Sequence, residues 1–368
     1  MKSFFRIFIF VAATILFTSL GFSQILVGGK PVQFLWPTRK APFPIPKPSY
    51  LDTSYTMTDT TKNSWLVVYQ ATTNPNGAGI VLMPGGGYRN LAGWPTEGLQ
   101  GAAKLNSYGI TVFILHYRFN PNGTTFQHPC EMWDAQRSVR WARAHAAQYG
   151  VDPNRLGVLG FSSGGHQAST VSTHYDAGLT DTTSPLWYPG LHDSVDLVSC
   201  KPAFQALVYP MTTMVQYVPG TTNTQFAYAD GRTALLGSNP SQTLVDYMSN
   251  EKQVTPNTPR TWINWGTTDN LVNPLNSTVY RDSLTTKGVV VKTVPVNTST
   301  HGYSTARLDS LATWLSQQGF LTPTAINPRN IRHAFSSSSV GSGKDLDALG
   351  RFSNQPHGFE LKALPIKE

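Results

Sequence analysis

Carboxylates are scarce in this 368-residue chain: 20 Asp and Glu stand against 28 Lys and Arg, and only five of the acids are Glu. The net charge of +8 invites a nucleic-acid reading, yet charged residues make up only 13% of the chain and no run of five Lys/Arg occurs. Without a phosphate-tracking stripe, the excess reads as an acid-poor surface, and no nucleic-acid partner is expected. Cysteine is nearly absent: Cys130 and Cys200 are the only two, which excludes a disulfide-stapled scaffold or a Cys-rich zinc module. No H-E-x-x-H or Cys/His cluster occurs, so a metal is not indicated. A hydrophobic content of 40% with 11% aromatics excludes wholesale disorder.

The two ends of the chain read differently from its middle. Residues 1–23 have the layout of a signal peptide: Lys2 and Arg6 precede an apolar run from Ile7 to Phe22, and Gly21-Phe22-Ser23 offers small residues for cleavage. The run is short for a span of about 20 residues, so cleavage near Ser23 and a secreted or periplasmic product are expected rather than a membrane anchor. No later segment reaches about 18 uninterrupted apolar residues, so no stable membrane insertion of the mature chain is expected. Residues 24–50 form a Pro-rich lead-in, expected to be extended rather than packed. Residues 323–368 show no sustained period and carry Ser336–Ser339 and Gly341-Ser342-Gly343, which reads as a flexible tail. The signal and tail carry about half of the net charge, leaving the rest near +4.

Residues 51–322 alternate strand and helix patterns, which predicts one α/β domain with a mostly parallel, doubly wound sheet and helices on both faces. Strands are predicted at 65–69, 79–83, 111–116, 156–160, 204–209, 262–265 and 289–295. Helices are predicted at 96–107, 131–149, 163–174, 241–249, 274–286 and 304–318. The stretches 177–201 and 211–232 are read as loops. Ligands of such a fold bind beyond the C-terminal strand ends. Cys130 and Cys200 fall at opposite strand edges, roughly 20 Å apart for a strand of about six residues, too far for a disulfide.

Gly160-Phe161-Ser162-Ser163-Gly164 matches the G-x-S-x-G nucleophile elbow. Small flanking residues are needed because a strand turns sharply into a helix and presents the serine in a strained, exposed pose. Here the motif closes the strand RLGVLG and opens the helix SSGGHQAST, which is the required setting. Ser163 is a poor rival, since Phe161 stands two residues before it. The elbow needs a base, an acid to orient that base, and donors for an oxyanion. Asp269 follows the strand TWINW, and His301 follows the strand 289–295, in the chain order Ser, Asp, His. Asp230 and Asp246 are reserve acids that follow no strand directly. Pro84-Gly85-Gly86-Gly87-Tyr88 extends the strand 79–83, and its bare backbone suits oxyanion donation. The amides of Gly86, Gly87 and Ser163 are the expected donors.

On the segments PGGGYRNLAGWPTEG, GITVFILHYR, DAQRSVRWARAHAAQYGVDPNRLGVLGFSSGGH, FQALVYP, LLG, MSNEKQV, GTTDNLVNPLNS and THGYS, in order over roughly residues 64–320, the chain resembles secreted bacterial α/β-hydrolase esterases. These are the ones grouped with acetylxylan and feruloyl esterases of polysaccharide-degrading bacteria. The resemblance implies the α/β-hydrolase fold and a Ser–His–Asp carboxylesterase that needs no cofactor. Its implied partner is an acylated plant polysaccharide such as xylan. Ser163 departs from the alanine usual after the nucleophile, and 177–201 and 211–232 are individual in content. Acetyl esters are the favoured substrate and feruloyl esters the second. A peptidase, and a carbohydrate-binding homologue that has lost catalysis, are the rival classes.

Tyr88, Trp94, Trp187 and Tyr188 fall in predicted loops and are candidates to stack on sugar rings. Arg137, Arg140 and Arg143 recur at helical spacing and read as a solvated helix face. Arg118 reads as a structural ion-pair residue.

Overall fold

The β-branched and aromatic runs fold as strands of one sheet. The computed structural model describes residues 26–27, 29–36, 63–121, 126–177 and 193–321. The strands are β1 Leu26–Val27, β2 Lys30–Phe34, β3 Trp65–Tyr69, β4 Gly79–Met83, β5 Thr111–His116, β6 Leu156–Phe161, β7 Gln205–Val208, β8 Thr261–Gly266 and β9 Val291–Val296. The helices are α1 Gly101–Asn106, α2 Cys130–Ala144, α3 Ser163–Thr173, α4 Ala229–Leu236, α5 Gln242–Tyr247, α6 Leu275–Thr286 and α7 Ala306–Gln317. A π-helical turn, Trp94–Gln100, runs directly into α1.

The sheet order is β1-β2-β3-β5-β4-β6-β7-β8-β9. Strands β4 to β9 pair in parallel, while β1, β2 and β3 form an antiparallel edge. This is the α/β-hydrolase arrangement that the sequence led us to expect. Side chains alternate across the sheet: Val81 and Met83 of β4 enter one core with α2 and α3, and Ile80 and Leu82 enter the other with α1 and α7. Coverage of both faces explains why the central strands read as continuous apolar runs.

Two expectations need correction. The lead-in is not merely extended, because β2 pairs with β3 through Val32↔Val67 and Phe34↔Trp65. Pro31 is the second residue of β2, and proline is tolerated at the start of a strand, so it does not prevent pairing. Leu35 and Trp36 beyond it are fully buried. The Trp36 indole donates to Ser64 Oγ at 2.9 Å and to Asp134 Oδ1 at 3.2 Å. Nor is the arginine face of α2 solvated, for Arg137 and Arg140 are buried. Arg137 pairs with Asp193 and Asp196 and lies over the Trp36 ring, and Arg140 reaches Asp176. These partners are distant in sequence, so helical periodicity alone gave the wrong face.

Other features match. Arg118 and Asp134 form a fully buried pair at 2.9 Å, and Cys130 and Cys200 are both buried with no disulfide between them. The stretch 211–232 is largely irregular, but its end enters α4. No helix among the described residues is long and apolar enough to cross a membrane. The expected signal segment, the tail beyond 321, and Trp187 and Tyr188 lie outside the described residues.

Trp36→Ala should cost about 3–5 kcal/mol of stability in urea denaturation. A loss below about 1 kcal/mol would show that the 26–36 segment is dispensable to the core.

Candidate functional site

The site grows from the turn between β6 and α3. Ser162 adopts φ +53° and ψ −117°, a strained conformation that the surrounding backbone holds in place. Its amide donates to Val208 O at 3.1 Å, and its carbonyl accepts from Met211 N at 3.0 Å and His166 N at 3.2 Å. The motif glycines are needed for close approach. A Cβ on Gly160 would sit 2.0 Å from Gly164 O, and one on Gly164 would sit 2.0 Å from Met83 O. The sharp turn therefore fits only with bare backbone on both sides of the serine.

Asp269 follows β8 and His301 follows β9, and the two loops meet at the elbow. His301 Nε2 lies 3.0 Å from Ser162 Oγ, and His301 Nδ1 lies 2.8 Å from Asp269 Oδ2. The other oxygen, Asp269 Oδ1, accepts from the amides of Leu271 at 2.9 Å and Val272 at 3.0 Å. Burial by itself would raise the Asp269 carboxyl. The His301 imidazole and the two amides outweigh burial and hold it below its usual range. The reserve acids lie elsewhere: Asp230 pairs with Arg89, and Asp246 with Lys252.

The loop 84–88 lies against the nucleophile, since a Cβ on Gly85 would be 3.0 Å from Ser162 Cβ. Its amides have different fates. Gly85 N donates to Glu97 Oε2 at 2.6 Å. Gly87 N donates to Ser163 Oγ at 2.9 Å, which removes Gly87 from the expected set of free donors. The hydroxyl that takes it belongs to the residue directly after Ser162. The amides of Gly86 and Ser163 remain for an oxyanion.

Tyr88 is corrected as well. It is fully buried, and its hydroxyl donates to Ser163 O at 3.0 Å and lies 2.7 Å from His166 Nδ1. With φ +61° its ring turns inward, so it braces the elbow from behind and touches no sugar. Trp94 is half-buried, edge-on to Trp65 at 5.3 Å and to His116 at 5.8 Å.

Three side chains at the site escaped the sequence reading: Glu97, Tyr209 and Arg307. Glu97 is buried, and its Oε1 accepts from the Tyr209 hydroxyl at 2.7 Å. The Tyr209 ring lies 4.5 Å from the His301 ring, and Arg307 lies over Tyr209 at 5.5 Å. The available signal was a lone Glu in the segment GWPTEG of a chain with so few glutamates.

The depressed folded-state pKa of Asp269 has a stability consequence. Its unfolded value is about 3.9, so Asp269 contributes stability that is fully present above about pH 5 and lost as pH falls through the lower folded value. The stability difference between the parent and Asp269→Asn should narrow from pH 5 to pH 3 in denaturant titrations. A difference that stays constant over that window would contradict this linkage.

Comparison with known proteins agrees with this architecture. A crystal structure titled as an acetyl ester-xyloside bifunctional hydrolase from Caldicellulosiruptor lactoaceticus superposes with a TM-score of 0.64 at 30% identity, covering 79% of this chain and 97% of that one. An acetylxylan esterase of Xylanibacter ruminicola is 37% identical over 116 residues, 32% of this chain and 23% of that protein. The endo-1,4-beta-xylanase B of Butyrivibrio fibrisolvens is 29% identical over 236 residues, 64% of this chain and 34% of that protein. The aligned parts thus span about a third or less of these two longer relatives. Residues 67–284 match the family model described as BD-FAE, and the chain belongs to that family.

Proposed function

We propose that this chain is a serine carboxylesterase that removes acyl groups, foremost acetyl, from plant polysaccharides such as xylan. The observation that carries the reading is the continuous hydrogen-bonded path from Ser162 Oγ through His301 to Asp269, at 3.0 and 2.8 Å. The esterase and xylan-related names of its relatives support the substrate class.

The steps follow from that geometry. His301 Nε2 takes the Ser162 proton as Oγ attacks the ester carbonyl. Asp269 holds Nδ1–H, which fixes the tautomer that leaves Nε2 free and stabilises the imidazolium that forms. The tetrahedral oxyanion sits on the amides of Gly86 and Ser163, each donor being worth about 3 kcal/mol in the transition state. His301 returns its proton to the departing sugar hydroxyl. Water, activated by the same imidazole, then hydrolyses the acyl-serine. We further assign the product to the secreted or periplasmic space, on the basis of Lys2, Arg6 and the apolar run that follows them.

Ser162→Ala should lower kcat towards an acetyl ester by on the order of 10⁶-fold. Retained acetate release from acetylated xylan oligomers in a clean preparation would sink the assignment. Asp269→Asn should keep the fold yet lower kcat by about 10⁴-fold, because the neutral amide favours the wrong histidine tautomer. A loss under about tenfold, measured on the same oligomers, would remove Asp269 from the triad.

A further inference from the structure

Glu97 is a buried carboxylate that neither the triad nor the oxyanion donors use. The π-helical turn Trp94–Gln100 carries it into the rear of the site, and such turns recur at functional positions. Its place there is built. A Cβ on Gly93 would fall 1.8 Å from Glu97 Oε2, so the backbone at Gly93 must be bare to admit the carboxylate. Gly93 N also donates to Gly85 O at 3.2 Å, which holds the turn against the glycine loop.

The two oxygens of Glu97 serve two different parts of the site. Oε2 accepts from Gly85 N at 2.6 Å, at the residue that touches the nucleophile and precedes the free Gly86 amide. Oε1 accepts from the Tyr209 hydroxyl at 2.7 Å. Tyr209 follows β7 with φ +36°, and its ring is inclined at 57° to the His301 imidazole. Since both oxygens accept and neither donates, the ionised carboxylate fits this arrangement without a proton. Burial holds the Glu97 carboxyl above its usual value, and the Gly85 amide, the Tyr209 hydroxyl and the field of His301 offset only part of that rise.

We propose that Glu97 is a positioning residue for ester hydrolysis, fixing the oxyanion loop through Gly85 and the His301 imidazole through Tyr209. A single carboxylate thereby ties together the two groups that must meet the same transition state, the oxyanion donors and the base. Its negative charge also favours the imidazolium formed as Ser162 is deprotonated. The groups facing Glu97 and His301 are Tyr209 after β7, Asp269 after β8, Tyr303 and Arg307 around the start of α7, Tyr117 after β5, and Ser162 itself. Among these, Arg307 opposes the field of Glu97 and Asp269 reinforces it.

This inference rests on the proposed esterase chemistry, and the experiment separates the two. The full chain, Glu97→Gln and Tyr209→Phe are compared on p-nitrophenyl acetate from about pH 5 to pH 9, with thermal melting as the measure of fold. Glutamine keeps an acceptor for Gly85 but removes the charge. Phenylalanine keeps the ring beside His301 but cuts the link. Both variants should lose at least about tenfold in kcat with KM within about twofold, as expected of lost positioning. The double variant should be no slower than Glu97→Gln alone, as for residues acting as one unit.

A Glu97→Gln enzyme with parent-like kcat would overturn the proposal. If Glu97→Gln does not fold, a Tyr209→Phe enzyme with parent-like kcat overturns it instead. A folded parent inert towards the ester would sink the esterase reading itself, whereas an active parent with equally active variants sinks only the role of Glu97.

Discussion

The site depends on the strained turn at Ser162. The chain reverses from β6 into α3 within one residue, and the first turn of the helix is pressed against the end of β4, with Gly164 against Met83 O. Strain of this kind costs about 1–3 kcal/mol, and the backbone bonds to Val208, Met211 and His166 offset it. Because β4, β6 and β7 are neighbours in the sheet, the same pairing that builds the core brings the glycine loop after β4 beside the nucleophile. The Asp269 and His301 loops arrive from the next two strands, β8 and β9. Sheet order therefore sets which loops can meet the serine, and the turn sets where they meet it.

Hydroxyl groups hold the glycine loop from behind. Tyr117 donates to Pro84 O at 2.9 Å, Ser163 Oγ accepts from Gly87 N, and Tyr88 reaches Ser163 O and His166. His166 in turn lies 2.8 Å from Met248 O through Nε2. Loop stiffness matters because preorganised donors avoid reorganisation as charge develops on the substrate. Ser163 Oγ thus ties the Gly87 amide to the start of α3, a tether between loop and helix. Charge is used sparingly in the same region. Glu97 and Glu131 are buried and Glu251 is half-buried, so the described glutamates add little to the surface.

Features with a short-range cause were legible in the sequence. The strands at 65–69, 79–83 and 111–116 fall where their β-branched runs begin and end. Ser162, Asp269 and His301 could be found because each directly follows its strand or shares a loop leaving it. Long-range pairing left no such mark. Arg137 and Arg140 have the spacing of a solvated face, and only the folded positions of Asp193, Asp196 and Asp176 bury them. Strand β2 was hidden by Pro31 and the prolines after it, although the start of a strand tolerates a proline. The fate of the Gly87 amide was equally invisible, since it depends on a hydroxyl 76 residues away.

The segment least legible in the sequence is also the one placed against the glycine loop. Residues 211–236 leave β7 beside the nucleophile, through Met211 N on Ser162 O, and end in α4. Tyr228, at the start of that helix, has its ring 3.2 Å from where a Gly87 Cβ would stand. Asp230 pairs with Arg89 at 2.9 Å and fastens the helix to the same loop. The elbow, the acid and the base are held by sheet geometry and need particular residues at particular strand ends. Tyr228 lies in a segment anchored by backbone carbonyls, with Asn276 Nδ2 donating to Phe226 O and Asn120 Nδ2 to Ala234 O, each at 2.8 Å, while the exposed ion pair contributes about 0–1 kcal/mol. Because those anchors are backbone carbonyls, the half-buried Tyr228 side chain can change beside the glycine loop while Ser162, Asp269 and His301 keep their places.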